Sequence, residues 1–140
     1  MKRRILLIAV ALIPLVLSGC ASTGAIDDSK LGKLASNLGL SSEQAQAGVG
    51  AMLRLSEERL DPAGYSKITS VIPRADEYIA LAQRLGAFQG AVANASGLSS
   101  AFGKLGISPE QAAKFIPEVT GYVSSAASPD VGMSFANALK

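Results

Sequence analysis

Leu38-Gly39-Leu40-Ser41-Ser42-Glu43-Gln44-Ala45 decides the fold class, and Leu105-Gly106-Ile107-Ser108-Pro109-Glu110-Gln111-Ala112 repeats the statement. In each, a glycine closes one helix, and a serine followed three residues later by glutamine opens the next as a capping box. Pro109 takes the first helical position, where its missing N–H costs nothing. Behind Ser41, residues Ala45, Val49, Met52, Leu53 and Leu60 fall near helical spacing. Behind Ser108, residues Ala112, Phe115, Ile116, Val119 and Val123 share one face.

The same punctuation continues in both directions. Leu31, Leu34, Ala35 and Leu38 form a short first stripe closed by Gly39. Asp61-Pro62 and Ser128-Pro129-Asp130 are further start signals. Tyr78, Ile79, Ala82 and Leu85 follow Pro73 and stop at Gly86. Strand-type alternation is absent. The chain therefore reads as all-α, a small single-domain bundle of six or seven short helices. Pro117 falls inside the stretch 108–126, which is read as one kinked helix. Residues 86–103 hold four glycines and no net charge. They are read as a weak helix broken near Gly97, because glycine costs about 1 kcal/mol against alanine inside a helix.

The two opening octapeptides agree at six of eight positions. A fainter echo links Ile72-Pro73 and Tyr78-Ile79 with Ile116-Pro117 and Tyr122-Val123. Common helix punctuation accounts for such matches; a degenerate duplication giving pseudo-symmetric hairpins accounts for them as well.

The N-terminus is of another kind. Met1-Lys2-Arg3-Arg4 is a positive start, and Ile5 to Leu17 carries no charge. This run is shorter than the about 20 residues a spanning helix needs, and Pro14 interrupts it. Positive start, short apolar core and small residues before a cut are the order of a secretory signal. Leu17-Ser18-Gly19-Cys20 resembles the lipobox of bacterial lipoproteins. That resemblance implies cleavage between Gly19 and Cys20 and acylation of Cys20 by chains such as palmitate. Cys20 is the only cysteine, and acylation explains a thiol that no disulfide can use. More than one acyl chain is what stable anchoring needs.

On this reading residues 1–19 are a signal peptide, 20–29 the acylated cysteine and a short tether, and 30–140 the helical domain. Lys2, Arg3 and Arg4 leave with the signal. Of 13 basic and 11 acidic residues the mature chain keeps 10 and 11, a net charge of −1 instead of +2. No basic footprint for nucleic acid remains. By the same resemblance, Ala21 in place of aspartate permits transfer to the outer membrane in a Gram-negative host. The expected location is the cell envelope, lipid-anchored, at the outer membrane facing the periplasm.

The domain itself resembles the VcgC/VcgE-like family, a bacterial domain of unknown function. The residues that carry this are the first octapeptide with Gly48-Val49-Gly50-Ala51, then Val71-Ile72-Pro73, then the second octapeptide with Phe115-Ile116-Pro117 and Tyr122. The resemblance covers residues 30–138. It departs at Arg74, where glycine is expected, and in a short glycine-rich middle. It implies no activity and no catalytic residue.

Missing chemistry narrows the function. There is no histidine, so the usual general base near neutral pH and any His-dependent triad are excluded. With one acylated cysteine, a transition-metal site is not expected. No phosphate loop is present. Asp27-Asp28, Glu57-Glu58 and Asp76-Glu77 are adjacent pairs that diverge by about 100° on a helix, so they read as solvated faces, with Glu58 pairing to Arg54. Ala47, Gly48, Gly50 and Ala51 read as a close helix crossing, and the three tyrosines as core edge. Catalytic, cofactor and metal sites are therefore not expected. The leading expectation is a non-catalytic helical interaction module with an envelope protein partner. The alternative is a periplasmic carrier or sensor of a small apolar ligand or lipid.

Overall fold

The computed structural model describes residues 26–140. Cys20 and the lipobox residues Leu17, Ser18 and Gly19 lie outside the described residues. Among those described are seven helices and no strand. These are α1 (Asp28–Leu38), α2 (Ser42–Arg59), α3 (Pro62–Thr69), α4 (Ala75–Arg84), α5 (Ala95–Lys104), α6 (Pro109–Ala126) and α7 (Pro129–Ala138). They form a single small all-α domain.

Side-chain oxygens start six of them. Asp27, Ser41, Asp61, Asn94, Ser108 and Ser128 each accept from a backbone N–H in the first turn, satisfying donors the helix leaves open. Ser41 and Ser108 build complete capping boxes: Gln44 Oε1 accepts from Ser41 N at 2.9 Å, and Gln111 Oε1 from Ser108 N at 2.9 Å.

Helix α2 is the axle. Ten of its 18 residues are buried, all round its circumference, because α1, α4, α5 and α7 lean on different sides of it. Its small residues set the crossings. A Cβ on Gly50 would lie 2.0 Å from Tyr78 O, and one on Gly48 would lie 3.0 Å from the Phe115 ring. Ala47 and Ala51 are fully buried beside them. The short residues let α4 and Phe115 close directly on the α2 backbone.

The two opening octapeptides meet in space. Gln44 Nε2 donates to Leu105 O at 2.9 Å, and Gln111 Nε2 donates to Leu38 O at 2.9 Å. Each glutamine thus completes its own capping box with its oxygen and closes the opposite helix end with its nitrogen. Gly39 and Gly106, both left-handed with φ of 70° and 77°, make the matching turns. The α1/α2 and α5/α6 junctions are therefore related by an approximate dyad. The fainter echo is not structural: Pro73 stands in the turn before α4, whereas Pro117 stands within α6.

Three expectations change. The tether drawn to residue 29 is too long, because Ile26 is fully buried and its N–H donates to Val71 O at 2.8 Å. Asp27 caps α1. The weak helix over 86–103 is a loop followed by a helix: α5 starts at Ala95, with Asn94 Oδ1 accepting from Gly97 N at 2.9 Å. Gly97 is an early-turn residue and not a break; its Cβ would lie 1.9 Å from Val92 O. Pro117, in contrast, is carried within one continuous α6 as expected.

Candidate functional site

Helix α6 shows two faces. Phe115, Val119 and Val123 recur every four residues and are fully buried, and Phe115 meets Phe102 edge to face, with ring centroids 6.0 Å apart. Away from them, Ala113, Pro117 and Gly121 recur at the same spacing and are exposed. Proline is tolerated there because the C=O of Ala113, which loses its helical donor, stands on the solvent side of the helix.

Two apolar hollows flank this outer face. One, of about 290 Å³, lies between α5 and the first half of α6 over Phe102, Gly103, Ile107, Ala112 and Ile116. The other, of about 460 Å³, lies between the second half of α6 and the end of α7 over Ile116, Pro117, Gly121, Ala136 and Leu139. Ile116 belongs to both, so the hollows adjoin. No carboxylate lines either, and Lys140 is the one charged side chain at their edge. On α7, Met133 is 62% exposed, three residues before Ala136 and on the same side of that helix.

Gly103 and Gly121 set this face apart. Unlike Gly50, neither would bring a Cβ within 4 Å of another group. Each gives up about 1 kcal/mol of helix propensity relative to alanine, and nothing inside the fold requires it. Gly121→Ala should therefore raise unfolding free energy by up to about 1 kcal/mol, measured by urea denaturation. A loss of stability would mean that the space above Gly121 is already filled.

A third depression, of about 550 Å³, lies between α2 and α4 over Ser42, Glu43, Gln46, Arg74, Glu77 and Arg84. Charged and apolar side chains line it in similar measure, and its central cation is engaged. Arg74 bonds to Asp28 and to Glu77, and its guanidinium lies 5.8 Å from the Tyr78 ring centroid.

A family model described as "Protein of unknown function VcgC/VcgE (DUF2780)" matches residues 21–140. The chain belongs to this family. No curated protein and no solved structure matches it.

Several polar residues of this VcgC/VcgE domain have structural duties that spacing alone did not reveal. Tyr78, expected at the core edge, is 1% exposed. Its hydroxyl donates to Asp28 Oδ1 at 2.7 Å, and burial together with that carboxylate raises its pKa above the ordinary phenol value. Asp28 also accepts from Gln46 Nε2 at 3.3 Å. Arg74, the departure from the family pattern, thus helps fasten the start of α1 to α4. Burial and the nearby Glu57 push the Tyr65 hydroxyl up to about 12.

Glu58 is likewise more than a solvated charge. It pairs with Arg54 at 3.0 Å as expected, but its two oxygens also accept from Val92 N at 2.9 Å and Ala93 N at 2.8 Å. Ala93 has φ of 70°, a left-handed conformation rare for alanine. The carboxylate therefore clamps the loop between α4 and α5, and Phe88 and Val92 stay buried beneath it. Glu58→Ala should lower the local opening free energy of that loop by about 2 kcal/mol. Hydrogen exchange at Val92 and Ala93 reads it directly; unchanged protection there would refute the clamp. Among the described residues no group of three or more Asp or Glu converges as a metal site.

Proposed function

We propose that this VcgC/VcgE domain is a non-catalytic interaction module held on the bacterial cell envelope by acylated Cys20, and that the outer face of α6 is its contact surface. The observation that carries the reading is the pair of adjoining apolar hollows beside α6, with two helical glycines, Gly103 of α5 and Gly121 of α6, for which the fold itself has no use. Close approach of a backbone from outside is what glycine on a helix surface permits. The lipobox Leu17-Ser18-Gly19-Cys20 supports the anchor, as does a family match that begins at Ala21, directly after the cysteine. No helix among the described residues is long and apolar enough to cross a membrane, so on this reading the acyl chains do the anchoring. The outer membrane, facing the periplasm, is the proposed address.

Cys20→Ser should abolish incorporation of labelled palmitate and release the chain from membranes into the soluble fraction. Labelled acyl chains on the variant would end the anchoring proposal. For the interaction surface, a photoreactive residue at Pro117 in the acylated full chain should form adducts in cells, whereas one at exposed Glu43 should not. Equal yields from both positions would show that α6 is not the contact surface.

A further inference from the structure

We propose that Met133 is the oxidation site of this domain: it takes an oxygen atom from a hydroperoxide, and the resulting sulfoxide weakens contact at the adjoining α6 face. The oxidation stands by itself; its effect on contact rests on the reading of α6 as the contact surface. Two-electron oxidants find few targets in this chain. It has no tryptophan and no histidine, and its single cysteine is the proposed acylation site. Three methionines remain. Met1 leaves with the signal peptide on the reading above. Met52, on α2, is fully buried, whereas Met133, on α7, is 62% exposed. Susceptibility of methionine and cysteine to oxidation follows exposure.

The fold holds Met133 outward. The buried residues of α7 are Gly132, Phe135 and Ala138. Gly132 has no room for a Cβ against Ser124 of α6, so the roll of α7 on α6 is fixed there. Met133 stands about 160° round the helix from Phe135 and about 60° from Ala136, and Ala136 lines the hollow with Ile116 and Pro117. In the reaction, a sulfur lone pair attacks one peroxide oxygen. The S–O bond forms as the O–O bond breaks. The proton of the transferred hydroxyl goes to the leaving oxygen, which departs as water when the oxidant is hydrogen peroxide. Sulfur gives up two electrons and the peroxide accepts them. The product is a polar side chain. In solvent its oxygen is hydrated and the fold is undisturbed. At the rim of an apolar contact, the same oxygen must be buried without a donor, which opposes docking.

The first test treats the folded full chain, in detergent micelles, with hydrogen peroxide and follows the two methionine-containing tryptic peptides by mass spectrometry. Met133 should gain oxygen at least about tenfold faster than Met52, and the melting temperature should stay within about 3 °C of the untreated chain. Equal rates at Met133 and Met52, or a Met133 that stays reduced, would overturn the oxidation site. A fall in melting temperature well beyond that margin, with Met133 alone oxidised, would overturn its outward placement. The second test uses the photoreactive residue at Pro117 in cells exposed to peroxide before illumination. Adduct yield should fall by at least about fivefold, and Met133→Leu should keep the untreated yield. An undiminished yield in the parent, or an equal loss in Met133→Leu, would overturn the effect on contact. No adduct in untreated cells would remove the contact surface and its regulation together, leaving the oxidation site to the first test.

Discussion

Gly50→Ala is expected to cost about 3 kcal/mol or more of unfolding free energy, although it adds one methyl group and improves helix propensity. The added Cβ would lie 2.0 Å from Tyr78 O and 2.4 Å from Tyr78 C. Neither is a side-chain tip that can rotate away. Both belong to the backbone of α4, so α2 and α4 must separate along a crossing that is the most extensive helix contact of the fold. Separation would also loosen the hydroxyl contact of Tyr78 with Asp28 and the ion pairs of Arg74. Urea unfolding followed by circular dichroism measures the loss. Gly103→Ala, made in parallel, should move stability the other way, because open space surrounds it. Equal effects from the two would refute the close crossing.

The second large effect is expected at the paired glutamines. Gln44→Ala removes the acceptor for Ser41 N and the donor to Leu105 O; Gln111→Ala does the same for Ser108 N and Leu38 O. Each lost cap contact and each unanswered part-buried carbonyl is worth about 1 kcal/mol, so each variant should cost about 2 kcal/mol. The double variant should approach 3–4 kcal/mol, with a coupling of at least about 0.5 kcal/mol, since both bonds fasten one seam. Gln44→Glu separates the roles. It keeps the capping acceptor and suits the helix N-terminus, but it sets a carboxylate against Leu105 O. It should still lose about 1–2 kcal/mol. A Gln44→Glu variant as stable as the parent would show that the cross-seam bond contributes nothing.

The helices were legible because most of them announce themselves locally. Ser41, Asp61, Ser108 and Ser128 each stand at a fixed offset from the residues they cap, and that offset survives any tertiary arrangement. Asn94 carries the same signal, but it sits among glycines and alanines, where periodicity has too few apolar positions to mark a helix start. Ile26 looked like tether because a lone isoleucine beside small residues has no period; only Val71 arriving from the end of α3 makes it core. Glu58 was read as a surface partner of Arg54, and it is one. Its larger task depends on where a loop 34 residues away returns. Nor was the α6 face visible beforehand. Ile116 and Phe115 are equally apolar in sequence, and only the placement of α5 and α7 decides which becomes core. The small residues of α2 were read as a helix crossing, and they make one, because Gly48 and Gly50 are flanked by Ala47 and Ala51 in a stretch without charge.

The seam between the octapeptides also governs the order in which this chain can assemble. Gln44 and Leu105 are 61 residues apart, and Gln111 and Leu38 are 73. Neither bond can form until the intervening chain has been gathered, an entropic cost that comes due before any of the return. The hairpin of α1 and α2 closes over three residues, and that of α6 and α7 over two. Local hairpins thus come first and the seam last. A chain released from its N-terminal end presents α1 and α2 well before Gln111 arrives, and until then the carbonyl of Leu38 must be satisfied by water. The start of α6, late to emerge, is what locks the end of the first helix.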